Sequence, residues 1–311
     1  MATKLSGEAF NKAVAYLRSE ARPLERALYE YHFENGSRTN VLAALAAYQN
    51  TDGGFGHALD PDMRTPASSV LATTIALGIL REIGATEDTP GLPAALTYLM
   101  DSYDVVRERW PIVPPEVENA PHAPWWTYDG TEEAFGHFWA NPRASVVSYL
   151  WQFRRLVPSP FVESALQSVF DEVMRYPQHM EMHDLACVID LLETPDLPEE
   201  TYQGLLDKLL RALPRTVTLD PAQWGDYNLK PLDVVQSPDS PLAVAFDPAL
   251  LETNLDYDIE RGPAGGVWGP AWSWDFVDAA AWAEAEREYK GILTLRKLKT
   301  LRAFERIESV S

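Results

Sequence analysis

Four segments in which an aromatic residue is followed directly by glycine recur along the chain, and they constrain its fold more than any other feature. They start at Phe55, Phe135, Trp224 and Trp268. Their starts are separated by one or two units of roughly 40 to 45 residues, the length of a helical-hairpin repeat. An aromatic ring can pack between adjacent helices, while glycine permits a close backbone approach. We therefore predict that the four segments form equivalent corners between paired helices.

Apolar residues recur at helical spacing in ten segments of the chain. These segments are 9–17, 24–33, 41–48, 70–83, 92–100, 146–156, 161–174, 185–192, 202–213 and 279–304. Prolines and an Asn-Gly pair separate them and mark helix ends. Strand signals are scarce, so we predict an all-α fold of ten to twelve helices. Residues 110–140 and 219–241 are rich in proline and predict long functional loops.

The length and the charge of the chain limit its organisation and its partners. A chain of 311 residues is longer than a usual domain, but closed helical barrels of this size fold as one unit. We expect a single domain over residues 1–311. The 26 Lys and Arg against 46 Asp and Glu give a net charge of −20. Such a charge repels nucleic-acid phosphates and anionic lipid surfaces, so neither is an expected partner.

The sequence also predicts a cytoplasmic protein with no integral membrane segment. Lys4, Glu8 and Lys12 interrupt the N-terminus before an apolar run develops, so no signal peptide is expected. No stretch approaches the ~18 apolar residues of a membrane helix.

No metal and no cofactor are expected. Cys187 is the single cysteine, which excludes an intramolecular disulfide and a multi-cysteine zinc site. His179, His183 and Asp184 lie near Cys187, but Pro177 places them at a helix start, where their spacing suits zinc poorly. Glycine-rich phosphate cradles and nucleophile elbows are missing from the sequence. There is also no obvious basic cluster to receive a diphosphate leaving group.

The residues 49–56, Gln-Asn-Thr-Asp-Gly-Gly-Phe-Gly, resemble the glutamine-aromatic repeat of squalene-hopene cyclases and protein prenyltransferase β-subunits. Residues 263–269 resemble a second copy that lacks the glutamine, and residues 65–77 resemble the small-residue inner helix that follows such a repeat. The resemblance implies an α/α toroid, a barrel of paired helices with aromatic-glycine corner loops. Many (α/α)6 glycoside hydrolases and some polysaccharide lyases share this architecture.

Asp60 and Asp62 form the best candidate acid pair. An acid catalyst must keep one carboxyl protonated at neutral pH, and a second carboxylate nearby raises its pKa. The cyclases resembled here use an Asp-x-Asp-Asp motif, but Met63 stands where the last aspartate would be, so the implied role reaches only Asp60 and Asp62. Asp275 follows the fourth corner and could supply an opposing carboxylate. A helix-capping role for these aspartates is the alternative, and the sequence leaves it open.

Two histidines and an arginine accompany these carboxylates. His57 could transfer protons alongside Asp60, or it could form a corner hydrogen bond, as could His137 at the equivalent position. Arg64 could orient a carboxylate or bind an anionic group of the substrate, or it could form a structural ion pair.

Aromatic residues gather at the same corners and predict a ligand pocket. Ring faces stabilise carbocations and also stack on sugars, so they do not decide the ligand class, and some of them will be packing residues. The predicted substrate-binding residues, with Arg64 and His137, are Phe55, Trp139, Trp224, Tyr227, Trp268, Trp272 and Trp274.

Three functional hypotheses follow. The first is a terpenoid-cyclase-like enzyme, an isomerase or lyase that protonates an isoprenoid or similar apolar small molecule in a central cavity. The second is a glycoside hydrolase or polysaccharide lyase that uses Asp60 or Asp62 together with Asp275 on a carbohydrate. The third is a noncatalytic toroid that binds a ligand or a protein partner.

Overall fold

The computed structural model describes residues 3–128, 138–262 and 266–308. Within these ranges the chain forms α-helices and short 3-10 helices, and its few β-bridges are isolated, so the predicted all-α class is confirmed. Phe135 and His137 of the predicted second corner lie outside the described residues. Among the helices described, none combines the length and the apolarity that crossing a bilayer requires.

The described ranges contain twelve α-helices. They are α1 (Gly7–Ser19), α2 (Pro23–Phe33), α3 (Arg38–Leu45), α4 (Val70–Glu82), α5 (Leu92–Asp101), α6 (Arg143–Gln152), α7 (Ser159–Arg175), α8 (Met182–Leu192), α9 (Glu199–Thr216), α10 (Pro231–Val234), α11 (Pro248–Arg261) and α12 (Ala279–Ala303). Every predicted helical segment coincides with one of them. The sequence prediction missed two helices, α10 and α11.

Side-chain caps fix several helix starts. The hydroxyls of Ser6 and Ser69 accept hydrogen bonds from backbone N–H groups of α1 and α4. The carboxylates of Glu181, Asp247 and Asp278 do the same for α8, α11 and α12. Each cap satisfies donors that have no partner inside the helix, which stabilises the helix by about 1 kcal/mol.

The helices belong to two compact units, Met1–Ala44 with Leu213–Ser311, and Leu45–Ala212. In the first unit, α12 packs against α1 and α2, and α10 packs against α11. Arg306 is buried and pairs with Glu252 and Asp256. Its guanidinium also donates to the carbonyl of Thr3, so the two ends of the described chain are joined within this unit.

In the second unit, α6 is the central helix and packs against α4, α7 and α8. Its residues 143–150 are all buried. Because this helix is covered on every side, its polar side chains need internal partners. The Ser145 hydroxyl donates to Asp190 Oδ2 at 2.6 Å, and Arg81 donates to the Ser148 hydroxyl at 2.8 Å. The single toroid domain over residues 1–311 and its four equivalent corners stay predictions.

Candidate functional site

The first aromatic-glycine corner is a tight, hydrogen-bonded loop. The Gln49 side chain donates to the carbonyls of Gly53 and Gly91, each at 2.9 Å, and so ties the loop to the start of α5. Gly56 has no room for a side chain, since a Cβ there would lie 2.2 Å from the Ala67 carbonyl oxygen. Phe55 is buried, and its N–H donates to Thr73 of α4. The glutamine and the glycine of the motif therefore have structural roles.

Asp60 and Asp62 are both buried in the turn that follows this corner, with 8% and 4% of their surfaces exposed. The N–H of Asp62 donates to Asp60 Oδ1 at 2.9 Å, so Asp60 closes a local turn over its neighbour. Neither aspartate caps the next helix, because Ser69 occupies the N-cap position of α4. Acid catalysis by the pair stays a prediction.

His57 and Arg64 contact neighbours in the same corner. His57 Nε2 lies 2.8 Å from the side-chain oxygen of Asn50, which is the corner hydrogen bond considered as one role for this histidine. Arg64 donates to the carbonyl of Pro61 at 3.4 Å. A proton-transfer role for His57 and a substrate role for Arg64 stay predictions.

The candidate residues of the first unit divide into buried and accessible groups. Trp224, Trp268 and Trp274 are buried. The indole N–H groups of Trp224 and Trp268 donate to the carbonyls of Thr218 and Asp258, at 2.7 and 2.9 Å, as packing residues do.

The accessible candidates of that unit lie after its two corners. Tyr227 contacts Trp272 edge to face, with ring centroids 5.3 Å apart. Asp275 is exposed and accepts a hydrogen bond from the Ser273 hydroxyl at 2.7 Å. Asp278, not Asp275, caps the following helix.

A cavity of about 390 Å³ in the second unit has four arginines around it. This volume is typical of a small-molecule site. The arginines come from the loop after α5, from the start of α6 and from the end of α7. The lining residues within the described ranges are Arg107, Glu108, Arg109, Trp139, Arg143, Ser168, Glu172 and Arg175. Of these residues, Trp139 was predicted from the sequence to bind substrate. We call this cavity the arginine cavity.

Arg143 is the most deeply buried of the four arginines, with 7% of its surface exposed. It forms an ion pair with Glu172 and donates to the Ser168 hydroxyl at 2.7 Å. Its Nε is buried without a hydrogen-bond partner among the described residues. Burial, followed by the charge of Arg109, lowers the pKa of the Arg143 guanidinium, but an arginine remains charged at neutral pH.

The other arginines differ in how far they are neutralised. Arg107 pairs with Asp104 at 3.0 Å. Arg109 lies 3.9 Å from Glu172, which it shares with Arg143. The Arg175 Nε donates to the Asp171 carbonyl at 3.0 Å, and no carboxylate of the described chain lies within ion-pair distance of this arginine. The described lining residues therefore keep an excess of positive charge.

Trp139 is held at the cavity by a fully buried carboxylate, Asp184 at the start of α8. Asp184 accepts hydrogen bonds from the backbone N–H groups of Trp139, Ala140 and Asn141 at 3.2, 2.8 and 2.7 Å. The Tyr176 hydroxyl donates to the same carboxylate at 2.6 Å. The Trp139 ring packs on the Tyr176 ring at a centroid distance of 4.8 Å, yet 43% of the tryptophan remains exposed.

Two of the residues considered above as zinc ligands, Asp184 and His183, contact other groups. Asp184 anchors the loop of Trp139, and the Glu181 carboxylate caps α8 and contacts His183 Nδ1 at 2.7 Å. Within the described ranges, no group of three or more His, Cys, Asp or Glu is arranged to hold a metal ion.

A second cavity, of about 290 Å³, lies in the same unit between α7 and the start of α9. Its charged lining residues within the described ranges are Glu163 and Glu200, and none of the described lining residues is a cation. The arginine cavity is therefore the better candidate site.

Comparison of this chain with family models, with curated proteins and with solved structures gives no match. The arguments for function therefore rest on the site itself.

The arginine cavity was missed in the sequence, where no obvious basic cluster is visible. Arg107 and Arg109 are close in the chain, but Arg143 and Arg175 are each separated from their neighbours by more than thirty residues. The fold assembles them by packing α6 against α7. Two sequence signals pointed to this region: the aromatic Trp139, and the proline-rich segment 110–140, which predicted a functional loop next to this site.

Proposed function

We propose that this protein binds a small organic anion in the arginine cavity and that Trp139 contacts the body of the ligand. The observation that carries this proposal is the convergence of four arginines from three chain segments on one cavity of about 390 Å³. Guanidinium groups bind carboxylates and phosphates through paired, charge-assisted hydrogen bonds, which makes such a cluster selective for anions.

The overall charge of the chain strengthens this argument. The protein carries a net charge of −20, yet four of its 26 basic residues line a single cavity. A local concentration of one sign of charge in a cleft focuses the electric field and attracts small ions of the opposite sign. An extended polyanion would still meet the acidic surface, so a small molecule fits this distribution better than a nucleic acid.

The proposal keeps the predicted pocket residue Trp139 and changes the predicted ligand. An exposed indole face beside arginines suits a molecule with an apolar or planar body and an anionic group. The terpenoid-cyclase activity, with Asp60 or Asp62 as acid, stays a prediction, as does carbohydrate chemistry with Asp275. Binding alone agrees with the third hypothesis, a noncatalytic ligand-binding protein.

Arg175 provides the simplest test of the proposed function, because it contacts the rest of the described protein mainly through one backbone carbonyl. We expect Arg175→Gln to weaken the binding of phenyl phosphate and of benzoate at least about tenfold. This corresponds to the loss of one hydrogen bond to a charged group. Isothermal titration calorimetry on the full chain measures the change.

The matched control is Arg155→Gln in the same unit. Arg155 has 83% of its side chain exposed, and it lies outside the arginine cavity. Both substitutions make the net charge one unit more negative, so a general electrostatic effect would weaken binding equally in both variants. Equal weakening, or no binding of either anion by the unmodified protein, would refute the proposed function.

A further inference from the structure

We infer that the ligand carries a phosphoryl dianion and that this group takes the place of the Glu172 carboxylate between Arg109 and Arg143. The inference rests on the proposed function and specifies its ligand. It starts from Glu172, an acidic residue that lines a cavity otherwise dominated by arginines.

Glu172 shows that an anionic group fits between the two guanidinium groups. Its Oε2 pairs with Arg143 Nη1, and its Oε1 lies 3.9 Å from Arg109 Nη2. The glutamate side chain is 24% exposed, whereas that of Arg143 is only 9% exposed. A Glu172 carboxylate that turned towards solvent would regain hydration and lose its ion pair, whereas the buried Arg143 would then require another anionic partner.

The donors around this position exceed what one carboxylate satisfies. Arg143 Nε is buried and has no hydrogen-bond partner within the described ranges. The Ser168 hydroxyl accepts from Arg143 Nη2 at 2.7 Å, which leaves its own proton available to a ligand. A phosphoryl group presents three strong acceptor oxygens, compared with two on a carboxylate, and so satisfies more of these donors.

The charges around the position favour a dianion. When Glu172 turns outward, Arg109, Arg143 and Arg175 face one remaining carboxylate among the described lining residues, that of Glu108. Arg107 contributes less, because it is paired with Asp104. Two unbalanced positive charges match a phosphoryl dianion better than the single charge of a carboxylate. The exposed Trp139 then contacts the body that carries the phosphoryl group.

The test compares the unmodified full chain with Glu172→Gln by calorimetric titration with phenyl phosphate, benzoate and inorganic phosphate. The unmodified chain is expected to bind phenyl phosphate at least about tenfold more tightly than benzoate, which has the same ring and one charge. It is also expected to bind phenyl phosphate more tightly than inorganic phosphate, because the ring contacts Trp139. Glu172→Gln is expected to bind phenyl phosphate about tenfold more tightly than the unmodified chain, since the competing carboxylate is gone.

Glu163→Gln is the matched control, because Glu163 is exposed on the same helix, α7, and lies outside the arginine cavity. It should leave the affinity for phenyl phosphate unchanged. If the unmodified chain binds anions but Glu172→Gln binds phenyl phosphate no more tightly, displacement of Glu172 is refuted and the proposed function stands. Tighter binding of benzoate than of phenyl phosphate refutes the dianion. If neither protein binds any of the three anions, the proposed function itself fails.

Discussion

Replacing Asp184 by alanine is expected to lower the free energy of unfolding by about 3 to 5 kcal/mol, the range of substitutions that break a buried polar network. The Asp184 carboxylate is fully buried and accepts three backbone hydrogen bonds from residues 139–141, together with one from the Tyr176 hydroxyl. Alanine removes the acceptor and leaves those donors without a partner inside the protein. The loop that holds Trp139 should then detach from α8.

Urea unfolding followed by far-ultraviolet circular dichroism measures this loss. Asp207→Ala is the matched control, because Asp207 is an exposed aspartate on α9 of the same unit. Its removal should change the free energy of unfolding by less than about 0.5 kcal/mol. If Asp184→Ala were as stable as this control, Asp184 would not anchor the loop.

Replacing Arg143 by methionine is expected to weaken the binding of phenyl phosphate at least about a hundredfold, or about 2.7 kcal/mol. Arg143 is the buried arginine of the cavity, and it also orients the Ser168 hydroxyl through a hydrogen bond of 2.7 Å. Methionine has a similar length and is apolar, so it can fill the space while removing every donor. Calorimetric titration of the full chain measures the affinity.

Two further variants separate a binding role of Arg143 from a purely structural one. The double variant Arg143→Met/Glu172→Met removes both members of the ion pair, so it leaves no buried charge unpaired and should fold at least as well as the single variant. It should still bind phenyl phosphate far more weakly than the unmodified protein. Arg143→Lys keeps the positive charge but loses the planar guanidinium group with its paired donors. Its affinity for phenyl phosphate should lie between those of the unmodified protein and Arg143→Met. Near-normal affinity in a folded Arg143→Met protein would exclude Arg143 from the site.

The helices could be predicted because their signals are local. Apolar residues at helical spacing, together with breakers such as Pro23 and Pro158, located ten of the twelve α-helices. The prediction missed α11 because its buried face is only half apolar. That face contains Leu251 and Leu255, but also Asn254 and Asp258, and the two polar residues hide the apolar pattern.

The role of the first corner was predictable only in part. The aromatic-glycine pattern indicated a tight loop, and Gly56 indeed lies against the Ala67 carbonyl. An aspartate two residues before another often accepts a hydrogen bond from its neighbour's backbone, and Asp60 does so with Asp62. The sequence could not exclude a helix cap at these aspartates. Asp60, Asp62 and Ser69 are all residue types that cap helices, and all three precede α4.

The arginine cavity could not be predicted, because its residues have no common motif and are distant in the chain. Their proximity depends on how α6 and α7 pack, which the sequence pattern does not specify. The anchoring of Trp139 by Asp184 depends on a contact between residues 45 positions apart. Long-range contacts of this kind determine the site, whereas the local pattern determines the helices.

A crystal structure of the full chain with tungstate would test the central claim most directly, because tungstate is a tetrahedral dianion whose anomalous scattering locates it without ambiguity. We expect an anomalous peak within about 4 Å of the Arg143 and Arg109 guanidinium groups, with Glu172 turned away from both. A peak elsewhere on the protein, with Glu172 still paired to Arg143 and the arginine cavity free of anion, would contradict it.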